Sequence, residues 1–258
     1  MADLSDFQWE YVRPFVEWDQ QRRQRPDGRG GRWGDARPAL NGVLWILRTG
    51  APWQDLPARY GAYQTCHRRF QHWQRAGVLD GILWALCEDL LARGQLGLDE
   101  TFVDASFSGA KRGANRIGPT RCGKGSKIMA IVDRGGLPIA VGVTSASPNE
   151  STLVDQTLDR RHVSALPKRV IGDKGYDSDP LDGRMRDRGI EMIAPNRRQR
   201  GKTQDGRPLR RYIRRWKIER LFAWLKNFRR ISSRWERNAL NFLGMVQLGC
   251  VLILLRHL

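Results

Sequence analysis

Apolar residues recur at helical spacing through the first third of the chain. Leu4, Phe7, Tyr11, Val12, Phe15 and Val16 predict a first helix over residues 4–18, with Asp3 or Ser5 placed to cap it. Leu40, Val43, Leu44 and Leu47 predict a second helix over 39–48, with Pro38 suited to its first turn and Gly50 ending it. Cys66, Phe70 and Trp73 fall at i, i+4 and i+7 of a third helix over 62–76, which Gly77 closes. A fourth, strongly apolar helix spans 78–91. The stretch QQRRQRPDGRGGRWGDARP after the first helix has no period and is rich in Gly, Arg and Pro, so it reads as a loop.

Near Gly94 to Gly97 the pattern changes from helical to alternating. LDETFVDASF predicts a strand with Phe102, Asp104 and Ser106 on one face and Val103, Ala105 and Phe107 on the other. KIMAIVDRGGLPIAVGVTSAS holds two apolar runs joined at Asp133-Arg134-Gly135-Gly136, a hairpin signal that also accounts for Asp133. Between these lies SGAKRGANRIGPTRCGKGSK, read as a flexible basic loop at the sheet edge; its Gly-Lys lacks the spacing and following residue of a phosphate-binding Walker loop. A helix over 151–160, a strand over 168–171, a helix beginning near Asp177 to Asp179 and ending before Gly189, and a strand IEMIAP follow. The order from residue 96 onward is thus β-β-β-α-β-α-β-α-α, an antiparallel start passing into alternating α/β. Residues 238–257 predict a last apolar helix, buried in its own core or facing a partner.

The most informative stretch is YIRRWKIERLFAWLK, residues 212–226. As a single helix it gathers Tyr212, Arg215, Glu219 and Lys226 on one face and Ile218, Leu221, Phe222 and Leu225 on the other. An amphipathic surface helix with an Arg215–Glu219 pair would read the same way. Asp104 changes the picture, because an Asp inside a strand has poor β-propensity and needs a reason. In a sheet that begins with three antiparallel strands, the first and fourth strands are neighbours. Asp104 on the first and Asp173 at the end of the fourth then lie side by side, with the helix carrying Glu219 laid across them. Asp173 alone reads equally well as a turn residue, and Asp99 competes with Asp104 from nearer the strand start. Gathered carboxylates repel unless cations sit among them, and hard oxygen ligands suit Mg2+ or Mn2+.

Charge identifies the partner class. The chain has 258 residues, 45 Lys+Arg against 27 Asp+Glu, and a formal net charge of +18. Most of the cations are Arg, the residue suited to bidentate phosphate contacts, so nucleic acid is the expected partner. Arg68 and Arg69 on the third helix, with its Gln residues, give a helix-turn-helix-like layout for reading a groove. Arg197, Arg198 and Arg211 lie in a second basic loop, NRRQRGKTQDGRPLRR. The four cysteines are isolated, which argues against a zinc site or a disulfide framework and fits a reducing, cytoplasmic setting. His67 and His72 lack companion ligands and read as polar-face residues. MADLSDFQWE does not read as a signal peptide, and no membrane partner is expected.

Tyr212, Arg215, Glu219 and Lys226 match, at every spacing, the Tyr-x2-Arg-x3-Glu-x6-Lys signature of bacterial insertion-sequence transposases of the DDE type, in the IS-four/IS-five grouping. FVDASFSGAKRG, GKGSKIMAIVD, VIGDKGYDSDPL and IEMIAPNRR also resemble family blocks, in family order, from about Gly97 to the end. The resemblance implies an α/β, RNase H-like mixed sheet flanked by helices over 95–258, preceded by a helical DNA-binding region over 1–94. It implies Asp104, Asp173 and Glu219 as ligands of two Mg2+ or Mn2+ ions, and Tyr212, Arg215 and Lys226 as phosphate contacts. The implied substrate is the element's terminal inverted repeats, cut to free a 3′-OH that attacks target DNA, with more than one protomer in the synaptic complex. A DNA-binding repressor without catalysis and a simple metal-dependent endonuclease are the alternative readings. Relatives with a long β insertion before the last catalytic helix use it to handle DNA; here only residues 196–211 fill that interval.

Overall fold

The computed structural model describes residues 3–23, 34–111, 113–120, 123–196 and 212–258. The arginine-rich stretches at 24–33 and 197–211, with Arg197, Arg198 and Arg211, lie outside the described residues, as does the side chain of Tyr212.

Four helices lead the chain: α1 Asp6–Arg23, α2 Ala36–Thr49, α3 Tyr63–Arg75 and α4 Val78–Ala92. Ser5 caps α1, its Oγ accepting from Gln8 N at 3.2 Å while Gln8 Oε1 accepts from Ser5 N at 3.3 Å. Asp3 is used otherwise, accepting from Tyr60 Oη at 2.7 Å. The inward face of α1 runs through Trp9, Val12 and Val16 to a buried Asp19, while Phe7, expected inside, is 63% exposed. Asp19 is the reason the apolar stripe ends there: His72 of α3 pairs with it at 2.8 Å. Helix α2 is capped by Asp35, whose Oδ1 accepts from Arg37 N at 2.9 Å, and ends at Gly50 (φ 68°), a left-handed position that favours glycine. Two 3-10 turns, Trp53–Asp55 and Ala58–Tyr60, separate α2 from α3, whereas α3 and α4 are joined directly through Ala76 and Gly77.

The sheet contains β1 Thr101–Ala110, β2 Gly118–Thr120, β3 Gly123–Val132, β4 Pro138–Ser145, β5 Arg169–Ile171, β6 Glu191–Ile193 and β7 Ser233–Arg234. Its main order is β4-β3-β1-β5-β6: β3 is antiparallel to β4 and β1, while β1–β5 and β5–β6 are parallel. β1 and β5, the first and fourth strands expected from the sequence, are therefore neighbours. The stretch expected as a flexible loop is largely ordered sheet. β1 and β3 stay paired as far as Gly109↔Gly125, and β2 adds a short strand to β3. Glycine there permits close backbone approach; a Cβ on Gly125 would lie 2.5 Å from the Ser108 carbonyl oxygen.

Flanking the sheet are α5 Val154–Leu158, α6 Asp179–Asp187, α7 Trp216–Lys226, α8 Arg229–Ser232 and α9 Ala239–Leu254. The expected helix over 212–226 is two pieces, a 3-10 turn Tyr212–Arg215 followed by α7. Of the two readings of α9, burial holds: the helix is buried on nearly every side. It packs against α2, α3 and α4 on one side and β4, α7 and α8 on the other, so the helical region and the sheet share a continuous core. Among the described residues, no helix is long and apolar enough to cross a membrane.

The β3–β4 turn depends on Asp133, which is wholly buried and accepts from Gly135 N at 2.8 Å, Leu137 N at 2.7 Å and Gly97 N at 3.0 Å. Asp133→Ala strands the buried Leu137 N–H and leaves those of Gly97 and Gly135 to water, and is expected to cost about 1–3 kcal/mol, the range for one buried donor left unpaired. Urea unfolding measures it; a loss below about 1 kcal/mol would show that water replaces the carboxylate.

Candidate active site

The parallel pairing of β1 with β5 positions two acids. Phe102 pairs with Ile171, and two residues further along each strand come Asp104 and Asp173. Asp173 also serves as the turn residue it resembled in sequence: it caps a 3-10 turn, Lys174–Tyr176, through a 2.7 Å bond from Gly175 N to its Oδ1. Asp99 lies before β1, is exposed, and pairs with Lys168 at 2.8 Å, so it belongs to the other end of the strand.

Helix α7 supplies the third acid. Ile218, Leu221, Phe222 and Leu225 are buried, as the spacing required, and set the helix against β1, β3, α8 and α9. The solvent side of α7 is tied to the β3–β4 turn by Lys217 Nζ to the Arg134 carbonyl and by Arg220 to the Gly135 carbonyl. Arg215, at the start of α7, reaches both ways. Its Nη1 lies 2.8 Å from Asp104 Oδ2 and its Nη2 lies 2.6 Å from Glu219 Oε1. Asp104 and Glu219 are thus one guanidinium apart. The surface pair expected between Arg215 and Glu219 exists, but it is half of a bridge. Lys226 is exposed on the same helix.

The environment of Asp104 is that of an acid under pressure. Burial first, then the nearby carboxylates of Asp173 and Glu150, raise its pKa to about 6, against lowering by the Ala105 N–H and Arg215. Glu150 was not singled out by sequence reasoning, since an isolated acid after a strand carries no pattern. It sits on the 3-10 turn Glu150–Thr152, near the bend that carries Asp173. Its Oε1 lies 3.5 Å from Lys127 Nζ, and its Oε2 accepts from Tyr176 Oη at 3.5 Å.

Carboxylate oxygens suit a hard cation; Asp104 and Glu219 already share a positive group, the Arg215 guanidinium, and Asp173 is near enough to Asp104 to raise its pKa. With Arg215 between them, no cluster of three His, Cys, Asp or Glu side chains among the described residues converges to metal-ligand geometry.

The cations expected at DNA divide. Arg68 is exposed on α3, as are Gln64 and Arg75. Arg69 points inward; it is 6% exposed and donates to the Asp35 and Gly34 carbonyls at 2.9 and 2.8 Å, so it ties α3 to the start of α2 instead of facing a groove.

A mixed sheet in this order, with Asp104 on β1, Asp173 just past β5 and Glu219 on the helix packed against β1, is an RNase H-like fold. Comparison with known proteins agrees. Residues 75–254 match the family described as "Transposase DDE domain", and residues 4–83 match "Putative transposase of IS4/5 family (DUF4096)". The chain belongs to the DDE transposases, in their IS4/5 grouping. A Burkholderia cepacia protein named "Putative transposase for insertion sequence element IS402" is 37% identical over 152 residues, covering 55% of this chain and 69% of that one. A Brucella ovis protein named for insertion sequence element IS6501 is 31% identical over 138 residues, covering 51% of this chain and 98% of that one. Among solved structures, the piggyBac transposase synaptic complex with hairpin DNA matches with a TM-score of 0.51 at 12% identity, covering 98% of this chain and 73% of that chain, a likeness of fold.

The raised Asp104 pKa has a sign. Folding lifts it from 3.8 to about 6, so the folded chain binds this proton more tightly than the unfolded chain. The associated stability is complete below about pH 4 and is lost as pH rises through 6. Without divalent ions, Asp104→Asn is therefore expected to raise the melting temperature at pH 8, by the equivalent of roughly 1–3 kcal/mol, and to have little effect at pH 4. Thermal denaturation in EDTA measures this; a lower melting temperature at pH 8 would show that the Arg215 pair outweighs burial.

Proposed function

We propose that this transposase binds the terminal inverted repeats of its insertion sequence, cuts the DNA there and joins the freed 3′-OH ends to target DNA. The observation that carries the reading is the side-by-side placement of Asp104 and Asp173, with Arg215 linking Asp104 to Glu219. In this reading the three acids hold Mg2+ or Mn2+, in a pair. Bound there, the ions would activate the attacking oxygen and stabilise the leaving oxygen of a phosphoryl transfer.

Asp104 is the ligand whose ionisation burial opposes, so it gains most from a divalent neighbour. Asp173 is held through its Oδ1 by the Gly175 N–H. Glu219 is 54% exposed on α7 and is free to swing towards the strands once Arg215 releases it. Arg215 then exchanges its carboxylate partners for a DNA phosphate, with Tyr212 and Lys226 holding neighbouring phosphates: a fork donor, a hydroxyl and a point charge. Residues 1–94 form the end-binding region, with Arg68 on the exposed side of α3, and 95–258 the catalytic domain. Arg197, Arg198 and Arg211 add phosphate contacts before α7. The partners are element ends and target duplex, joined by at least one more protomer in the synaptic complex, in the bacterial cytoplasm.

The test is an assay with end-containing duplex, Mg2+ and a target plasmid. Wild type is expected to give nicked and then joined products. Asp104→Asn and Glu219→Gln are expected to abolish both while retaining end binding. Retained cleavage would remove these acids from the chemistry. Binding without nicking by wild type would make the protein a repressor, and nicking without joining a simple endonuclease. Arg215→Ala is expected to weaken DNA binding about tenfold, as loss of a charge-assisted phosphate contact does; wild-type affinity would remove its phosphate role.

A further inference from the structure

Two clefts adjoin at the C-terminal end of α2. One, of about 700 Å3, has Arg48, Arg59, Arg229, Asp3 and Tyr60 in its lining. The other, of about 230 Å3, has Arg48, Arg256, Trp224 and Asn227. Arg48 lines both, so they are neighbours. Neither is lined by Asp104, Asp173, Glu219 or Arg68.

The four cations come from four places in the chain. Arg48 lies in the last turn of α2, Arg59 on the 3-10 turn Ala58–Tyr60, Arg229 at the start of α8 and Arg256 just past the end of α9. Arg59, Arg229 and Arg256 are exposed. Packing fixes the group. A Cβ on Gly50 would lie 2.9 Å from Arg229 Cβ, and Arg230 holds the Gly50 and Ala51 carbonyls at 3.3 and 3.1 Å, so α8 is pressed onto the end of α2. Arg59 Nη2 donates to Tyr60 Oη at 2.7 Å. Among the described residues, Asp3 is the one acid that lines either cleft, and its Oδ1 already accepts from Tyr60 Oη at 2.7 Å. Burial lowers the pKa of Arg48; Asp3 and Tyr60 oppose this, and Arg256 adds to it, so Arg48 and Arg256 are near enough to repel. A helix C-terminus favours a cation, which accounts for Arg48 and Arg256. It does not account for Arg59 and Arg229.

We propose that these clefts form a track for the phosphate backbone of the DNA on which the acids act. Cations gathered around one engaged acid repel unless an anion lies among them, and arginine is the cation suited to phosphate. The track continues from a residue already given a phosphate. Lys226 immediately precedes Asn227 of the smaller cleft, and lies about two turns, or roughly 10 Å, beyond Glu219 on α7. Duplex DNA presents a phosphate about every 3.4 Å of its axis on each strand. A strand running along α7 from Glu219 therefore meets Lys226 about three phosphates later, and the clefts beyond it. The contact is to backbone, so it positions the duplex without reading its sequence. The inference rests on the DNA reading of the proposed function.

The test measures the salt dependence of duplex binding by the full chain, using fluorescence anisotropy in EDTA. One duplex contains the element's end and the other is of unrelated sequence. Arg59→Gln combined with Arg229→Gln is expected to flatten the slope of log affinity against log salt by about 2, for two phosphate contacts removed, and equally on both duplexes. Arg13→Gln combined with Arg93→Gln takes the same charge from α1 and α4 and is expected to leave the slope unchanged. If the first pair does not fold, Arg256→Gln alone carries the result, with a change of about 1. A slope that the cleft substitutions leave unchanged overturns the track, and so does one flattened as much by the α1 and α4 pair. A loss confined to the duplex with the element's end also overturns it, since that is base reading. Failure of wild type to bind either duplex removes the DNA reading itself.

Discussion

Two like charges are held together at the centre of this molecule by backbone hydrogen bonds. β1 and β5 pair in parallel, and that pairing brings Asp104 beside Asp173 whatever their carboxylates would prefer. Burial first, and the neighbouring Asp173 carboxylate after it, show as the raised pKa of Asp104. It persists because the ladder and the apolar residues around it outweigh one disfavoured ionisation. Arg215 offsets part of the cost by placing a guanidinium between Asp104 and Glu219. A half-buried acid pair with a cation at its edge is weak evidence for stability and good evidence for a site, since packed apolar residues would stabilise the sheet better.

The third acid is positioned through a longer chain of contacts. Asp133 holds the β3–β4 turn by three backbone N–H groups. That turn offers carbonyls to Lys217 and Arg220 on α7, while the helix's other side is pressed onto β1, β3 and α9. Glu219 is exposed and its carboxylate is held by the Arg215 ion pair, while its helix is held by the core. α9 extends the same rigidity to the other end of the chain. It lies between α2, α3 and α4 and the sheet, so the helices that carry Arg68 are packed onto the body that carries the acids. A Cβ on Gly244 of α9 would come within 2.8 Å of Gln74 Cγ, which shows how closely α3 approaches.

Much of this was legible in the order of residues. The apolar stripes of α2, α3 and α7, the hairpin at Asp133, the strand order that makes the first and fourth strands neighbours, and the Tyr-Arg-Glu-Lys spacing are local or periodic features, and periodicity survives folding because a helix or strand repeats its own geometry. The candidate acids followed from the same logic: an Asp in a strand interior is conspicuous wherever the strand lies. What local pattern missed was whatever depended on a partner distant in sequence. Phe7 has the right spacing for the core, yet Trp9 takes the inward place. Arg69 has the look of a groove-facing cation, but carbonyls at Gly34 and Asp35 draw it inside. The glycine-rich stretch after β1 has the composition of a loop, and only pairing across β3 makes it sheet.

The sequence by itself determined most of the helices and strands and their order, and pointed to Asp104, Asp173 and Glu219 as candidates, because periodicity and motif spacing are set by residues within a few positions of one another. Only the tertiary structure decided that Arg215 bridges two carboxylates, that Glu150 joins the acid neighbourhood, and that Arg69 turns inward onto the Gly34 and Asp35 carbonyls. Those arrangements bring together groups far apart along the polymer, and their distances are properties of packing, which no local spacing encodes.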